Sequence, residues 1–387
     1  MIGRQIMSRA PNISIAKGHD PYSVTRQALS RMDPTPVSGR NILLKPRAGQ
    51  PLLPETGGST HPKVIEAAID WFHENHAKSI AVAECPALGI CAEKAFLTSL
   101  ATLCEKKNVA LIDIDHYSRI WLDIFDGTAL DRITATGLLV DYDFIVSIPT
   151  MSTCGNDGVA LSLENLVGLV PRHHKLLFHH QVHTNVNDQA VGSRDTLLAD
   201  LARVLYPDMV IIDGIIGMEG DGPCNGRPKN AGLIVAGDDA LFADKIASEL
   251  MGINPAEIQH FNRVDNLPGH HHDSAAVTPA DWKQWITPFA RPKVDTTLSG
   301  PVIEIFNHNG CTSCQNALYR FMEHHYTQLK PGENIRFSMG PEGPQYPGGT
   351  YYVGNCAASR DADQSGYHCN GCPPQERQIW EALQKGR

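Results

Sequence analysis

NILLKP, residues 41–46, is a short apolar run that stops at a lysine and a proline, and the Pro- and Gly-rich stretch RAGQPLLPETGG follows it. A strand covered on both faces reads as a continuous apolar run, whereas a half-exposed one alternates. The same reading applies to SIAVAE (79–84), VALIDID (109–115), FIVSIP (Phe144 to Pro149), MVIIDGIIGM (Met209 to Met218) and GLIVAG (Gly232 to Gly237). NISIA near the start adds a further apolar run. Helical patterns separate these runs: about Tyr22 to Met32, a helix from His61 with Val64, Ala67, Ala68 and Trp71 at helical spacing, and about Glu93 to Lys107. Short apolar strands alternating with amphipathic helices predict an α/β protein with a mostly parallel, doubly wound sheet. In such sheets ligands sit outside the carboxyl ends of the strands, so the polar loops there are the first places to look for a site.

Composition changes across ITPFARPKVDTTLSGP (Ile286 to Pro301). Beyond it come a strand, VIEIF, a Cys-bearing loop, a helix over Ala317 to His325, and the strands NIRFSMG and YYVGNC. Two domains are expected: a large α/β domain over 1–295 and a small α/β domain over 296–387. The chain of 387 residues is long enough for both to bury cores.

The balance of 33 Lys+Arg against 42 Asp+Glu, with no basic stripe, argues against a nucleic-acid partner. No run of about 18 apolar residues exists to span a bilayer. The start, MIGRQIMSRAPNISIAKGHD, lacks the apolar centre of a secretory signal, so a cytoplasmic location is expected. Ten cysteines in a reducing compartment read first as metal ligands or redox groups.

Five of them fall late, in NGCTSCQNAL (Asn309 to Leu318), YYVGNCAAS (Tyr351 to Ser359) and HCNGCPP (His368 to Pro374). The first Cys-x-x-Cys follows a strand and opens a helix, where amide groups and the helix dipole favour thiolate. By spacing, zinc could take Cys311 and Cys314 with Cys369 and Cys372. A redox dithiol is also open, although it leaves Cys356 and Cys372 unused. A disulfide is the weaker reading.

Gly-Cys-x-x-Cys at a helix start, Val-Gly-x-Cys-Ala after a strand and Gly-Cys-Pro-Pro before a helix resemble the proximal-cluster motifs of nickel–iron hydrogenase small subunits and their counterpart in NADH:quinone oxidoreductase. That resemblance spans about 75 residues. It implies a [4Fe–4S] cluster on Cys311, Cys314, Cys356 and Cys372, with Cys369 outside the pattern. Four thiolates are what a cubane needs. On this reading Pro373 and Pro374 close the loop and set the next helix, QERQIWEAL, at its first turn.

Over roughly residues 12–262 several segments resemble domain-of-unknown-function family 362. They are NILLKP, GGSTHPKVIEAAIDW, YDFIVSIPTMST, LSLENLVGLVP with two histidines soon after, LYPDMVIIDGIIGMEGDGP and AGDDALFADKIASELMG. Many members carry an iron–sulfur segment beside this domain. Where members commonly have Lys-Thr-His after the strand-end proline, this chain has Met151-Ser152-Thr153-Cys154, so any chemistry of that Lys and His is not carried over.

Candidate residues in the large domain come from strand-end loops. Lys45 could meet an anion or be a solvated lysine. Thr60-His61-Pro62 reads as a helix start, with Thr60 as cap, Pro62 in the first turn and His61 free to point into a cleft or to serve the cap. MEGDGPCNGRP (Met218 to Pro228) follows a strand, and its Glu219 and Asp221 could bind a divalent metal, shuttle protons or only face water in a turn. Asp238, Asp239 and Asp244 read as a helix-capping pair and a buried acid. Asn165, Gly168 and the run PRHHKLLFHHQVH (Pro171 to His183) form a second candidate, with His179 and His183 at helical i, i+4 spacing. The run His270 to His272 reads as an exposed loop.

Together these features lead to an iron–sulfur oxidoreductase that passes electrons from a C-terminal [4Fe–4S] cluster to a small anionic substrate or cofactor. The catalytic candidates are Glu219, Asp221, Lys45 and His61, in loops expected to converge on one sheet edge facing the cluster. No Gly-x-Gly-x-x-Gly follows a strand to indicate a nucleotide. The alternatives are an electron-transfer partner with no substrate of its own, and a non-redox isomerase or lyase with a structural cluster or zinc. A redox partner protein or a small molecule is the expected partner.

Overall fold

The structure, a computed structural model, describes residues 10–387 except 88–89, 97, 155–157, 179–181, 187–188, 191–193, 269–273, 293–301, 309–311, 331 and 347. The chain divides into two compact units. One holds residues 1–87, 91–171 and 195–294, and the other holds 88–90, 172–194 and 295–387. The second unit thus takes a stretch from the middle of the chain, which the composition change near residue 286 does not announce.

The first unit opens with strand β1 (Asn12–Lys17), helix α1 (Pro21–Leu29) and strand β2 (Asn41–Pro46). Helix α2 (Pro62–Glu74), strand β3 (Ser79–Glu84), helix α3 (Thr98–Lys107) and strand β4 (Ala110–Asp113) follow. A hairpin of β5 (Arg119–Asp123) and β6 (Arg132–Thr136) precedes β7 (Phe144–Ile148). β8 (Val182–Val186) belongs to the second unit. Helix α4 (Arg194–Leu205), β9 (Met209–Glu219), β10 (Leu233–Gly237) and helix α5 (Ala240–Leu250) return to the first.

These strands line up in the order β1-β10-β9-β7-β2-β3-β4. The steps β9-β7, β7-β2, β2-β3 and β3-β4 are parallel, while β10 runs antiparallel to both β9 and β1. The sheet is therefore mostly parallel, as the apolar runs predict, with β10 reversed. Residues on both faces of β2 are buried: Ile42, Leu43 and Leu44 all have no exposed surface. Ile42 and Leu44 join a core with Val64, Ile65, Ala68 and Phe72 of α2 and Leu100 of α3. Burying a side chain of this size contributes roughly 1.5–3 kcal/mol, so each short run pins its strand.

The second unit is built on a mostly parallel six-stranded sheet. Its parallel strands are β8, β11 (Val302–Asn307), β12 (Asn334–Met339), β13 (Thr350–Val353) and β14 (Tyr367–Cys369), in that spatial order, and the short strand Gln189–Ala190 pairs antiparallel with the outer edge of β8. Helix α6 (Thr312–His325) follows β11 and helix α7 (Glu376–Gly386) ends the chain. Ile303, Leu318, Phe321, Phe337, Ile379 and Leu383 form its core.

Two expectations are corrected here. Residue 183 lies on strand β8, so His179 and His183 do not form an i, i+4 helical pair. The β-branched Val182, Thr184 and Val186 suit a strand, and the backbone pairs with β11 from Val182↔Ile303 to Val186↔Asn307. Residues 179 and 180, and the His270 to His272 run, lie outside the described residues. Pro373 and Pro374 stop short of the first turn of α7: Gln375 is its N-cap and forms a capping box with Gln378.

Candidate functional site

Lys45 is the penultimate residue of β2, and the structure buries it to 1% exposure. Its ammonium donates to Glu84 Oε2 at 2.8 Å, Asn165 Oδ1 at 2.7 Å and the Pro46 carbonyl at 2.8 Å. An ammonium has three N–H donors, and all three have acceptors here. Glu84, at the end of the neighbouring β3, also accepts from the amides of Ala48 and Cys85. Asn165 donates to the Lys45 carbonyl at 2.9 Å and to Ser147 Oγ at 3.0 Å. Gly168 closes the group: a β-carbon there would fall 2.0 Å from Lys45 Cε and 2.5 Å from Glu84 Oε1. Lys45 is thus neither a solvated loop lysine nor an open anion contact. Asn165 and Gly168 assemble with it, whereas the His-rich run beginning at Arg172 belongs to the second unit.

Next to this network, loop 47–61 packs on the end of β9. Arg47 donates to the Gly58 carbonyl at 3.1 Å and the Pro223 carbonyl at 2.7 Å, tying the loop to the segment after β9. Gly57, in left-handed backbone, approaches so closely that a β-carbon would fall 2.2 Å from the Gly217 carbonyl oxygen. The cap of α2 is His61, not Thr60: its Nδ1 accepts from the Lys63 amide at 3.0 Å. Thr60 Oγ1 instead donates to the Ile148 carbonyl at 2.6 Å and accepts from the Arg47 amide at 2.8 Å. Burial holds the His61 imidazole below its ordinary pKa. Its own amide donates to Asp213 Oδ2 at 2.8 Å, and burial raises the Asp213 carboxyl to about 6.

Glu219 ends β9. Its Oε2 accepts from the Ala290 amide at 2.9 Å and lies 3.2 Å from Lys229 Nζ, with Arg227 at 3.6 Å from Oε1. The Ala290 hydrogen bond, aided by Lys229 and Arg227, holds the carboxyl below its ordinary range. The Gly220 amide donates back to the Ala290 carbonyl at 2.8 Å, so residues 219–220 clasp the segment around 290. Asp221, two residues on, is exposed. The structure therefore brings the His61 loop and the Glu219–Asp221 segment side by side through Arg47, with Lys45 in the buried layer.

Other acids act as anchors. Asp239 caps α5 through the Phe242 amide at 2.8 Å, and Asp238 accepts from the Asn12 amide at 2.7 Å. Asp244, wholly buried, accepts from the Ser162 and Leu163 amides, both at 2.9 Å, and from Ser162 Oγ at 2.6 Å. Burial raises its carboxyl to about 7. Glu84, Asp213 and Asp200, which holds the amides of residues 128–130, escape sequence reading. Each gains its partner from an element distant in sequence, and the one local cue is an acid in or beside an apolar run.

In the second unit the cysteine loops gather at the carboxyl edge of the parallel sheet. The Gly354 amide donates to the Cys369 carbonyl at 3.0 Å, the Asn355 amide to the Gly371 carbonyl at 2.9 Å, and the Gly371 amide to Asn355 Oδ1 at 2.8 Å. These bonds lash the Cys356 loop to the Cys372 loop. A β-carbon on Gly354 would fall 2.7 Å from Cys314 Sγ, which brings the α6 cysteine against the same pair of loops. Cys356 and Cys372 are exposed, and Cys311 lies outside the described residues. Cys369 instead points into the core with Phe337 and Val353, and burial pushes its thiol up to about 12. Beside the Cys372 loop a groove of about 720 Å³ is lined by Ser313, Arg320, Pro373, Gln375 and Arg377. Among the described residues no three His, Cys, Asp or Glu side chains form a metal-holding group.

Residues 42–249, more than half of the chain, match the family described as Domain of unknown function (DUF362). The chain belongs to the DUF362 family. The match covers β2 through most of α5, including the Lys45 network and the loops joined by Arg47. Among curated proteins, the thylakoid-associated protein sll1697 of Synechocystis sp. is 24% identical over 222 residues, which is 57% of this chain. The alignment spans 65% of that protein's length, short of two thirds. Among solved structures, the lactate racemase apoprotein from Thermoanaerobacterium thermosaccharolyticum superposes with a TM-score of 0.42 at 9% identity. It covers 84% of this chain and 82% of that one, a likeness too loose to carry fold or function across. Among the described residues of this DUF362 protein, no helix is long and apolar enough to cross a membrane.

Proposed function

We propose that this DUF362 protein is an iron–sulfur oxidoreductase whose second unit holds a [4Fe–4S] cluster on Cys311, Cys314, Cys356 and Cys372. The observation that carries the reading is the lashing of the Cys356 and Cys372 loops to each other, with Cys314 Sγ against Gly354. Four cysteines supply the thiolates that a cubane takes, one per iron, and three of them lie among the described residues. Cys356 and Cys372 are exposed on glycine-shaped loops, Cys314 is buried with its Sγ against Gly354, and the buried Cys369 stands apart from them in the core. When bound, such a cluster supplies one-electron transfer. The groove beside Cys372, with Arg320 and Arg377 at its rim, gives a redox partner a place to approach.

In the first unit, the reading assigns substrate contact to the loops that Arg47 joins. His61 and the exposed Asp221 lie on those segments, and contact with a small anionic molecule or cofactor is assigned to His61. With Nδ1 accepting the Lys63 amide, the neutral His61 ring carries its hydrogen on Nε2 and can donate it to an anion, while Lys45 and Glu219 fix the frame. The same cysteine geometry with zinc in place of the cluster would give a structural site and a non-redox activity.

Anaerobic purification followed by counting iron, acid-labile sulfide and zinc tests the reading, together with paramagnetic resonance of the reduced protein. About four irons and four sulfides per chain are expected. Cys356→Ala and Cys372→Ala should each lose most of the iron while the fold, read by circular dichroism, persists. Stoichiometric zinc without sulfide would replace the cluster reading.

A further inference from the structure

Between the short helix Asn355–Ala358 and β14 the chain makes a tight turn, Asp361-Ala362-Asp363-Gln364-Ser365-Gly366. Acid, acid and hydroxyl alternate at its first, third and fifth positions, and glycine stands at the sixth. The first half of a calcium loop supplies oxygen ligands in this order, here with serine in place of a third acid or amide. A β-carbon on Gly366 would fall 2.6 Å from the Thr350 carbonyl oxygen, so the turn needs its glycine. The spacing by itself also suits an ordinary polar turn. The state of the carboxylates decides between the two.

The Asp361 side chain has no exposed surface. Its Oδ2 lies 2.8 Å from His368 Nε2 and accepts from the Gly366 amide at 2.9 Å. Its Oδ1 is buried and meets no donor. A buried carboxylate oxygen without a donor is costly, and a bound water or ion is what ordinarily meets one. The Asp363 carboxyl lies within hydrogen-bonding reach of Asp361. It divides its oxygens in the same way: Oδ1 accepts from the Ser365 amide at 3.0 Å and from Gln345 Nε2, and Oδ2 from neither. Among the described residues, no lysine or arginine pairs with either acid.

A shared proton is the other way to join two such acids. Burial works to raise the Asp361 carboxyl, but the His368 ring and the Gly366 amide outweigh it and hold the group below its ordinary range. At neutral pH Asp361 therefore has no proton to share, and a cation is what relieves two carboxylates side by side. Oxygen donors suit a hard ion rather than a thiol- or imidazole-seeking metal. Calcium accepts irregular shells of about six to eight oxygens, water included, whereas magnesium demands a near-ideal octahedron. Asp363, Gln364 and Ser365 are exposed, so an ion can enter from solvent.

We propose that this turn is a calcium site, with Asp361 Oδ1, the Asp363 carboxylate and the Ser365 hydroxyl as protein ligands and water completing the shell. Cys372 stands where a full calcium loop has its closing glutamate, and Tyr367 already pairs with β13. With two carboxylates alone, the dissociation constant is expected on the order of 10⁻⁴–10⁻³ M. Bound calcium would stiffen the link between the Cys356 helix and β14. The site does not depend on what the cysteines hold.

Hydrogen exchange read by mass spectrometry on the full chain, first freed of divalent ions and then titrated with calcium chloride, tests the proposal. At about 10 mM calcium, exchange across residues 361–368 should slow by about tenfold or more. Asp361→Asn and Asp363→Asn should each lose that protection, and Ser365→Ala should weaken it. Circular dichroism checks that the variants fold, and the exposed Asp363 provides a change that leaves the buried carboxyl in place. Exchange in this segment unmoved by calcium would overturn the proposal, because water would then serve Oδ1. Protection that persists in Asp363→Asn, or that magnesium chloride or sodium chloride of equal ionic strength reproduces, would overturn it as well.

Discussion

The Lys45 ammonium lies 2.8 Å from the Glu84 carboxylate, with side-chain exposures of 1% and 4%. The pair joins the carboxyl ends of the adjacent parallel strands β2 and β3, where ligands bind in open α/β sheets. It closes that edge with an ion pair from within.

Breaking the pair should be costly. Removing one partner of a buried ion pair typically destabilises by about 3–5 kcal/mol because the other charge stays buried. Glu84→Gln and Lys45→Met are each expected to lower denaturant stability by that order. Gly168→Ala, whose new methyl would fall 2.0 Å from Lys45 Cε, should cost about 1–3 kcal/mol as an overpacking change. Urea unfolding of the three variants checks this, and wild-type midpoints would refute the scaffold role.

Stability should fall as pH rises through neutrality. Burial raises Asp213 to about 6 and Asp244 to about 7 from an ordinary value of 3.8. A carboxyl with a raised folded pKa binds its proton more tightly when folded. Its contribution is full below the unfolded pKa and is lost as pH passes the folded one. Asp244→Asn should flatten the loss between these values, while its poorer match to the Ser162 and Leu163 donors costs roughly 1–3 kcal/mol. Unfolding free energies at several pH values from mildly acidic to mildly alkaline, for wild type and variant, measure both effects.

Glu219 should act first on order. Its carboxylate receives the Ala290 amide while Gly220 bonds back to the Ala290 carbonyl. Glu219→Ala is expected to release Ala290 to fast amide exchange with little change in the core strands. Glu219→Gln, which keeps an acceptor oxygen, should release it less. Hydrogen exchange read by mass spectrometry separates the two, and equal protection in all three proteins would show the clasp to be unimportant.

Cys369 and Cys372 should part company. Cys369→Ala removes a buried sulfur from the core beside Phe337, costing on the order of 1 kcal/mol as a small cavity, while iron and sulfide stay at the wild-type level. Cys372→Ala should do the reverse. Paired metal analysis and thermal melts distinguish them, and loss of iron on Cys369→Ala would move the ligand set.

What the sequence determined by itself is local. NILLKP, SIAVAE and FIVSIP became β2, β3 and β7 within a residue or so of their expected ends, because a fully apolar run bounded by proline or polar residues has few other stable uses. The same logic placed α1 and α2, whose apolar faces repeat at helical spacing. It failed where partners come from afar. The reversed β10, the transfer of residues 172–194 to the second unit, the strand at His183 and the outlying β5–β6 hairpin all depend on pairings that leave no periodic trace. For the candidate site, sequence picked out Lys45, His61, Glu219, Asn165 and the cysteine motifs, because strand-end loops and glycine-flanked cysteines can be read one segment at a time. Only the tertiary structure decided that Lys45 is saturated by Glu84 and Asn165, that His61 caps α2, and that the Cys356 and Cys372 loops are hydrogen-bonded together. Those assignments turn on burial and on which donor meets which acceptor, and both are set by segments up to 120 residues apart.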